Sequence, residues 1–145
     1  METPATYEDV KLILKLYDMR REEKLREARK WFGKFHASTM AEREAMCPPG
    51  SEADAFFRMV VTYWEMAASF ITSGVLHQEL FLQSGNELLF VWEKVRDFVP
   101  EWRTAAKNPK ILANMETVSK AAIDFMNRSN PKAYEAFSAR VRAMQ

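Results

Sequence analysis

Imidazole and thiol side chains, the usual nitrogen and sulfur ligands of a metal, are few: two histidines, His36 and His77, and one cysteine, Cys47. Neither histidine has a second histidine at ligand spacing, and the Glu-x-x-His pairs of di-iron helical bundles are missing. His77-Gln78-Glu79 sets His and Glu two apart, on different faces of a helix. His77 therefore reads as a helix-end side chain. The usual closed zinc sets are excluded with two histidines and one thiol. Cys47 precedes Pro48 just after a short helical stretch, where a helix C-terminus raises a thiol pKa. It reads as a bystander thiol in a loop, contributing little packing. No Gly-x-x-x-x-Gly-Lys run offers a phosphate cradle. Acidic residues are plentiful, but no spacing selects two of them as an acid–base pair. No catalytic, cofactor-binding or metal-ligating residue is expected, and the sequence leans away from an enzyme.

Two polar constellations remain. Arg58, Thr62, Glu65, Ser69 and Thr72 are spaced 4, 3, 4 and 3, so they share one helix face. Three small hydroxyls around one carboxylate let another helix approach closely. A covered Glu65 then needs a partner, because an unpaired buried charge is costly. Arg103 is the first candidate and Arg58 the second, giving a candidate buried cluster of Arg58, Glu65 and Arg103. The alternative is an exposed face. The second constellation is a basic strip, Arg20, Arg21, Lys24, Arg29, Lys30 and Lys34, with Trp31 beside it. It would suit phosphate contacts, although Glu22, Glu23 and Glu27 neutralise much of it.

These side chains need helices to position them. Glycines and prolines are sparse and punctuate helical patterns, and no alternating strand run appears. Thr6 with Asp9 starts a helix whose residues Val10, Leu12, Ile13, Leu14, Leu16, Tyr17 and Met19 give a wide apolar side. The spacing continues this helix through Arg20 to Lys30, with Gly33 as the place to bend or stop. Thr39 and Glu42 open a short helix ending near Met46. Cys47-Pro48-Pro49-Gly50 breaks the chain. Ser51 then caps a long helix to about Ser73, with Gly74 as its terminating glycine. Val75–Leu82 forms a short helix. Asn86 opens another carrying Leu88, Leu89, Val91, Trp92, Val95 and Val99, with a further turn from Pro100 to Lys107. Asn108-Pro109 and Asn130-Pro131 look like two further helix starts. The expectation is an all-α, single-domain bundle of six or seven helices with short loops, covering residues 1–145. Trp64 and Trp92 should be buried in it, and Met59, Met66, Met115 and Met126 should fill core gaps.

The chain has 145 residues and is 48% hydrophobic and 28% charged, proportions of a folded globular domain. Its net charge of +1 gives no whole-molecule attraction to nucleic acid or anionic membrane. Charge is nonetheless segregated. Tyr7 to Phe35 carries nine basic and six acidic residues, Cys47 to Pro100 three and seven, and Lys107 onward seven and three. Basic ends facing an acidic middle can hold a fold, or a symmetric dimer, together. Met1–Asp9 lacks a signal-peptide pattern. The longest uncharged run, Met66–Gln78, is shorter than the roughly 20 residues a membrane span needs. With a free thiol, this favours a cytoplasmic location and no membrane span.

The middle of the chain resembles uncharacterised bacterial domain-of-unknown-function families of small helical proteins. The resemblance is carried by Trp64-Glu65, by Ile71-Thr72-Ser73-Gly74, by Gly85 and by Leu88-Leu89-Phe90-Val91-Trp92, with Arg103 matching an arginine beyond that helix. It spans about Ala55 to Ala122. It implies a helical fold and no particular mechanism, and the membrane tether of some relatives has no counterpart here. The expected function is a non-enzymatic helical module acting through protein contacts, as a homodimer. The alternative is a nucleic-acid-associated regulator using the basic strip, and a small-molecule-binding enzyme is third.

Overall fold

The computed structural model describes residues 3–144. Among them nine helices form and no strand: α1 (Tyr7–Met19), α2 (Glu23–Phe32), α3 (Met40–Met46), α4 (Glu52–Thr72), α5 (Gln78–Gln83), α6 (Glu87–Val95), α7 (Val99–Ala106), α8 (Ala113–Ser129) and α9 (Ala133–Ala143). The bundle is all-α, with more helices than the six or seven expected. No described helix is long and apolar enough to cross a membrane.

The N-terminal helix accounts for part of that difference. It does not run through to Lys30 but breaks at Arg20–Glu22, where side chains from beyond α1 also bond carbonyls at its end: Leu16 O, which keeps its helical bond from Arg20 N–H at 3.3 Å, and Arg20 O. The Tyr63 hydroxyl donates to Leu16 O, and Arg29 Nη1 donates to Arg20 O at 3.2 Å. Glu22 then caps the next helix, accepting from the Lys24 and Leu25 N–H groups at 3.0 Å each. Only one of these three interactions is local, and helical spacing alone carries no trace of the other two.

α4 is the centre of the bundle, packed against α2, α6 and α8. Its Ser51 cap holds the Asp54 N–H at 3.1 Å. It ends in a Schellman motif: Val75 N–H reaches Phe70 O at 2.9 Å and Gly74 N–H reaches Ile71 O at 3.0 Å. Gly74 supplies the required positive φ of 84°. Phe57, Val60, Val61, Trp64, Ala67 and Ala68 of α4 are buried, as is Trp92 of α6. Phe32, Phe35, Phe57, Phe98 and Trp102 form a continuous ring cluster with neighbouring centroids 5.3–6.3 Å apart. Met115 is fully buried, while Met59, Met66 and Met126 lie against the core edge.

Two local expectations need correction. Cys47 is not a lightly packed loop thiol; it is fully buried in the core cluster. Cys47 is the C-cap residue of α3 and its side chain turns inward, while Pro48, Pro49 and Gly50 after it stay exposed. α8 starts at Ala113, not at Asn108-Pro109. Asn108 turns the chain, its Oδ1 accepting from Lys110 N–H at 3.0 Å, and the helix begins only after Leu112 at φ 52°.

Candidate interaction surface

Glu65 lies where α4 meets the first turn of α8. It accepts from Met115 N–H at 2.8 Å, from Asn114 N–H at 3.3 Å and from Asn114 Nδ2 at 2.9 Å. Leu112, at the cap position, offers no side-chain acceptor. Glu65 therefore caps α8 from another helix and meets its positive end. Thr72 extends the junction, donating to Asn114 Oδ1 at 2.7 Å. Arg103 does not reach Glu65. It donates to Ile111 O at 2.8 Å and pairs with Glu116 at 3.0 Å, serving the same helix start from the other side. Arg58 is 64% exposed and pairs with Asp54 at 3.5 Å. The three residues Arg58, Glu65 and Arg103 thus do not converge.

The basic strip is divided by the fold. Arg29 forms a two-pronged pair with Glu87 of α6, both contacts at 2.7 Å, and Arg20 adds a third contact at 3.5 Å. Arg20 also stacks over Tyr17 and Trp64. Arg21, Lys24, Lys30 and Lys34 remain exposed. C-terminal cations also reach the acidic middle: Arg142 pairs with Asp97 at 3.1 Å and with Glu93 at 3.5 Å, and Arg128 with Glu79 at 3.5 Å. The segregated charges of the sequence pair across the fold.

The deepest of these acids is Glu93, whose side chain is fully buried. The Tyr134 hydroxyl donates to it at 2.6 Å, the Ser138 hydroxyl also donates, and Arg96 pairs with it at 3.2 Å. Burial, then this carboxylate, raises the Tyr134 pKa. The network clamps α9 onto α6. Its neighbour Lys94 is also buried, donating to Phe35 O at 2.6 Å and Gly33 O at 3.0 Å, with the Phe90 ring 5.3 Å away. Burial lowers its pKa. Its ammonium closes the C-terminal end of α2, where a positive charge suits the helix dipole.

His77 caps α5, its Nδ1 accepting from Leu80 N–H at 3.1 Å. Its own N–H goes to Asp9 Oδ1 at 2.8 Å, while Asp9 Oδ2 takes the Thr6 N–H at 2.7 Å. These two backbone donors, Thr6 first, hold the Asp9 carboxyl below its usual range. Burial raises the Cys47 pKa, which suits an unreactive thiol. Among the described residues no group of three or more His, Cys, Asp or Glu is placed to hold a metal.

The surface not used by the fold is on α1. Tyr7, Val10, Leu14 and Tyr17 are 74%, 39%, 61% and 51% exposed. Spaced 3, 4 and 3, they cover about 80° of the helix surface, directed away from buried Leu16. α1 is held by Leu16 in the core, by the partly buried Leu12 and Ile13 packed against it, and by the hydrogen bonds of Asp9 and the Tyr63 hydroxyl. The signal was present in the sequence: the apolar side of this helix is too wide for one buried face. This side of α1 has no partner in the fold, and its four large hydrophobic side chains stay open to water.

The fold is that of a small all-α protein whose polar residues are mostly engaged in capping and pairing its own helices. The chain belongs to the family described as domain of unknown function DUF4760, which matches residues 5–122. This span takes in α1 to α7 and much of α8, and so extends further toward the N-terminus than the resemblance read from Ala55 onward. No curated protein and no solved structure matches the chain.

Proposed function

We propose that this chain is a non-enzymatic helical module that acts through protein contacts, self-associates as a homodimer, and uses the exposed face of α1 as its contact surface. The observation that carries the proposal is the concentration of exposed apolar side chains. Of the seven large hydrophobic residues left exposed among the described residues, four share one face of α1, Tyr7, Val10, Leu14 and Tyr17, and a fifth, Met19, lies at its end on another side. Covering such a stripe removes apolar surface from water, the main driving force for association. The nucleic-acid alternative loses support from Arg20 and Arg29, whose guanidinium groups are both drawn onto Glu87.

Sedimentation of the purified chain over a range of concentrations tests this proposal. The expected result is reversible dimerisation that is lost in Leu14→Glu while far-UV circular dichroism stays unchanged. A chain that remains monomeric up to roughly 0.1 mM, where any dimer with Kd well below that value would be populated, overturns it.

A further inference from the structure

The small polar face of α4 is only partly used by the fold. Glu65 and Thr72 meet the start of α8, while Thr62 and Ser69 of the same face line an open cleft of about 600 Å³ between α4 and the α7–α8 loop. That volume falls within the roughly 300–1,000 Å³ of small-molecule sites. The inner surface of the cleft is apolar: Val61 and Leu112 are buried, and Met66, Ile111 and Trp102 are partly covered. Trp102 is fixed from behind by the Phe57 ring at 5.8 Å and the Phe98 ring at 6.3 Å. Thr62 and Ser69 turn their hydroxyl protons onto Arg58 O and Met66 O of their own helix, each at 2.6 Å, so neither donates into the cleft. Their short side chains leave the space open.

Charge selects the occupant. Arg58 and Lys110 stand at the outer edge, both exposed. Lys110 has no ion pair among the described residues. Arg58 touches Asp54 at 3.5 Å, but Arg43 already holds that carboxylate at 3.3 Å. The one carboxylate in the described lining, Glu65, has both oxygens engaged by the first turn of α8. An apolar cleft edged by two surplus cations is complementary to a molecule with an apolar body and a negatively charged end. We propose that the cleft binds a small amphipathic organic anion. Its apolar or aromatic body lies against Trp102, Met66 and Ile111, and its carboxylate, sulfonate or phosphate end meets Arg58 and Lys110. This site is separate from the α1 face and does not rest on the self-association reading.

The wall that presents Lys110 is preset. The α7–α8 loop holds the two described non-glycine residues with positive φ, Lys107 at 54° and Leu112 at 52°. This backbone is uncommon for residues with a side chain. Arg103 Nε holds it by donating to Ile111 O at 2.8 Å, and Asn108 Oδ1 by accepting from Lys110 N–H at 3.0 Å. A loop fixed before binding loses little freedom when a ligand arrives.

Anilinonaphthalene sulfonate, whose emission rises in apolar surroundings, is the probe, with decanoate and decanol as competitors. A ligand of about 20 heavy atoms at ordinary ligand efficiency gives a Kd on the order of 10–100 µM. The expected result is saturable one-to-one binding in that range, displaced by decanoate and far less by decanol. Lys110→Glu and Arg58→Glu should each weaken it by about fivefold, since exposed ion pairs contribute modestly. Ser69→Trp, which fills the cleft, should abolish it, and Leu14→Glu on α1 should leave it unchanged. Arg58 and Lys110 are exposed, so their variants should melt like wild type and keep the test independent of whether Ser69→Trp folds. Binding that survives both charge reversals, or that decanol displaces as well as decanoate, would overturn the proposal. Binding lost in Leu14→Glu and kept in Lys110→Glu would place the probe on α1 and overturn it equally, as would the absence of saturable binding up to about 1 mM.

Discussion

Removing the Glu65 carboxylate should expose how α8 is started. The first turn of α8 has its orphan N–H groups fully accounted for: Ala113 N–H goes to Lys110 O at 3.1 Å, Glu116 N–H to Leu112 O at 2.9 Å, and Asn114 and Met115 N–H to Glu65. Glu65→Ala leaves the last two without an acceptor. Met115 is fully buried, so water does not readily replace the lost partner there. A stranded buried donor costs about 1–3 kcal/mol, and loss of a helix cap costs about 0.5–2 kcal/mol; these overlap, so about 2 kcal/mol in total is expected. For a chain of this size that corresponds to a melting temperature lower by about 4–8 °C. Glu65→Gln keeps one acceptor oxygen and should lose about half as much. The partner matters as much as the size. If Glu65 balanced the Arg103 charge, the loss would rise to about 3–5 kcal/mol and a Glu65–Arg103 double-mutant cycle would show strong coupling. Because Arg103 keeps Glu116 and Ile111 O, the coupling should stay below about 0.5 kcal/mol, and the Met115 amide should exchange with solvent faster in Glu65→Ala. A stability change below about 0.5 kcal/mol, or a coupling above about 1 kcal/mol, would refute the assignment of Glu65 as the cap of α8.

Two further outcomes are expected. Cys47→Ser places a hydroxyl in an apolar core position and should destabilise by about 1–3 kcal/mol in a urea titration, and the native thiol should resist iodoacetamide until the protein unfolds. Asp9, whose folded pKa is depressed, contributes stability that is present above its unfolded pKa of about 3.9 and is lost as pH falls through the lower folded value. Asp9→Asn should therefore be less stable near neutral pH, with the gap to wild type closing below about pH 4 in acid titrations followed by circular dichroism.

Caps and turns written within a few residues were legible in the sequence. Thr6 with Asp9, Thr39 with Glu42, Ser51 with Asp54 and the Gly74 terminus all lie within four residues of their partners, and the structure forms each. Local hydrogen bonds depend on spacing, and spacing is what a sequence displays. The same holds for the all-α character and for the burial of Trp64 and Trp92, which follow from helical periodicity of apolar side chains. What the tertiary structure decided is where distant groups meet. Tyr63 and Arg29 bond the carbonyls where α1 ends, Glu65 caps the start of α8, and Glu87 gathers Arg20 and Arg29. Each partner lies on another helix, so its identity is set by packing rather than by spacing. Cys47 and the α1 stripe show the two sides of the same limit. The Cys47 thiol, at the end of α3, is buried in the core cluster, while a run of apolar residues stayed outside because one helix can bury only the side that faces its neighbours.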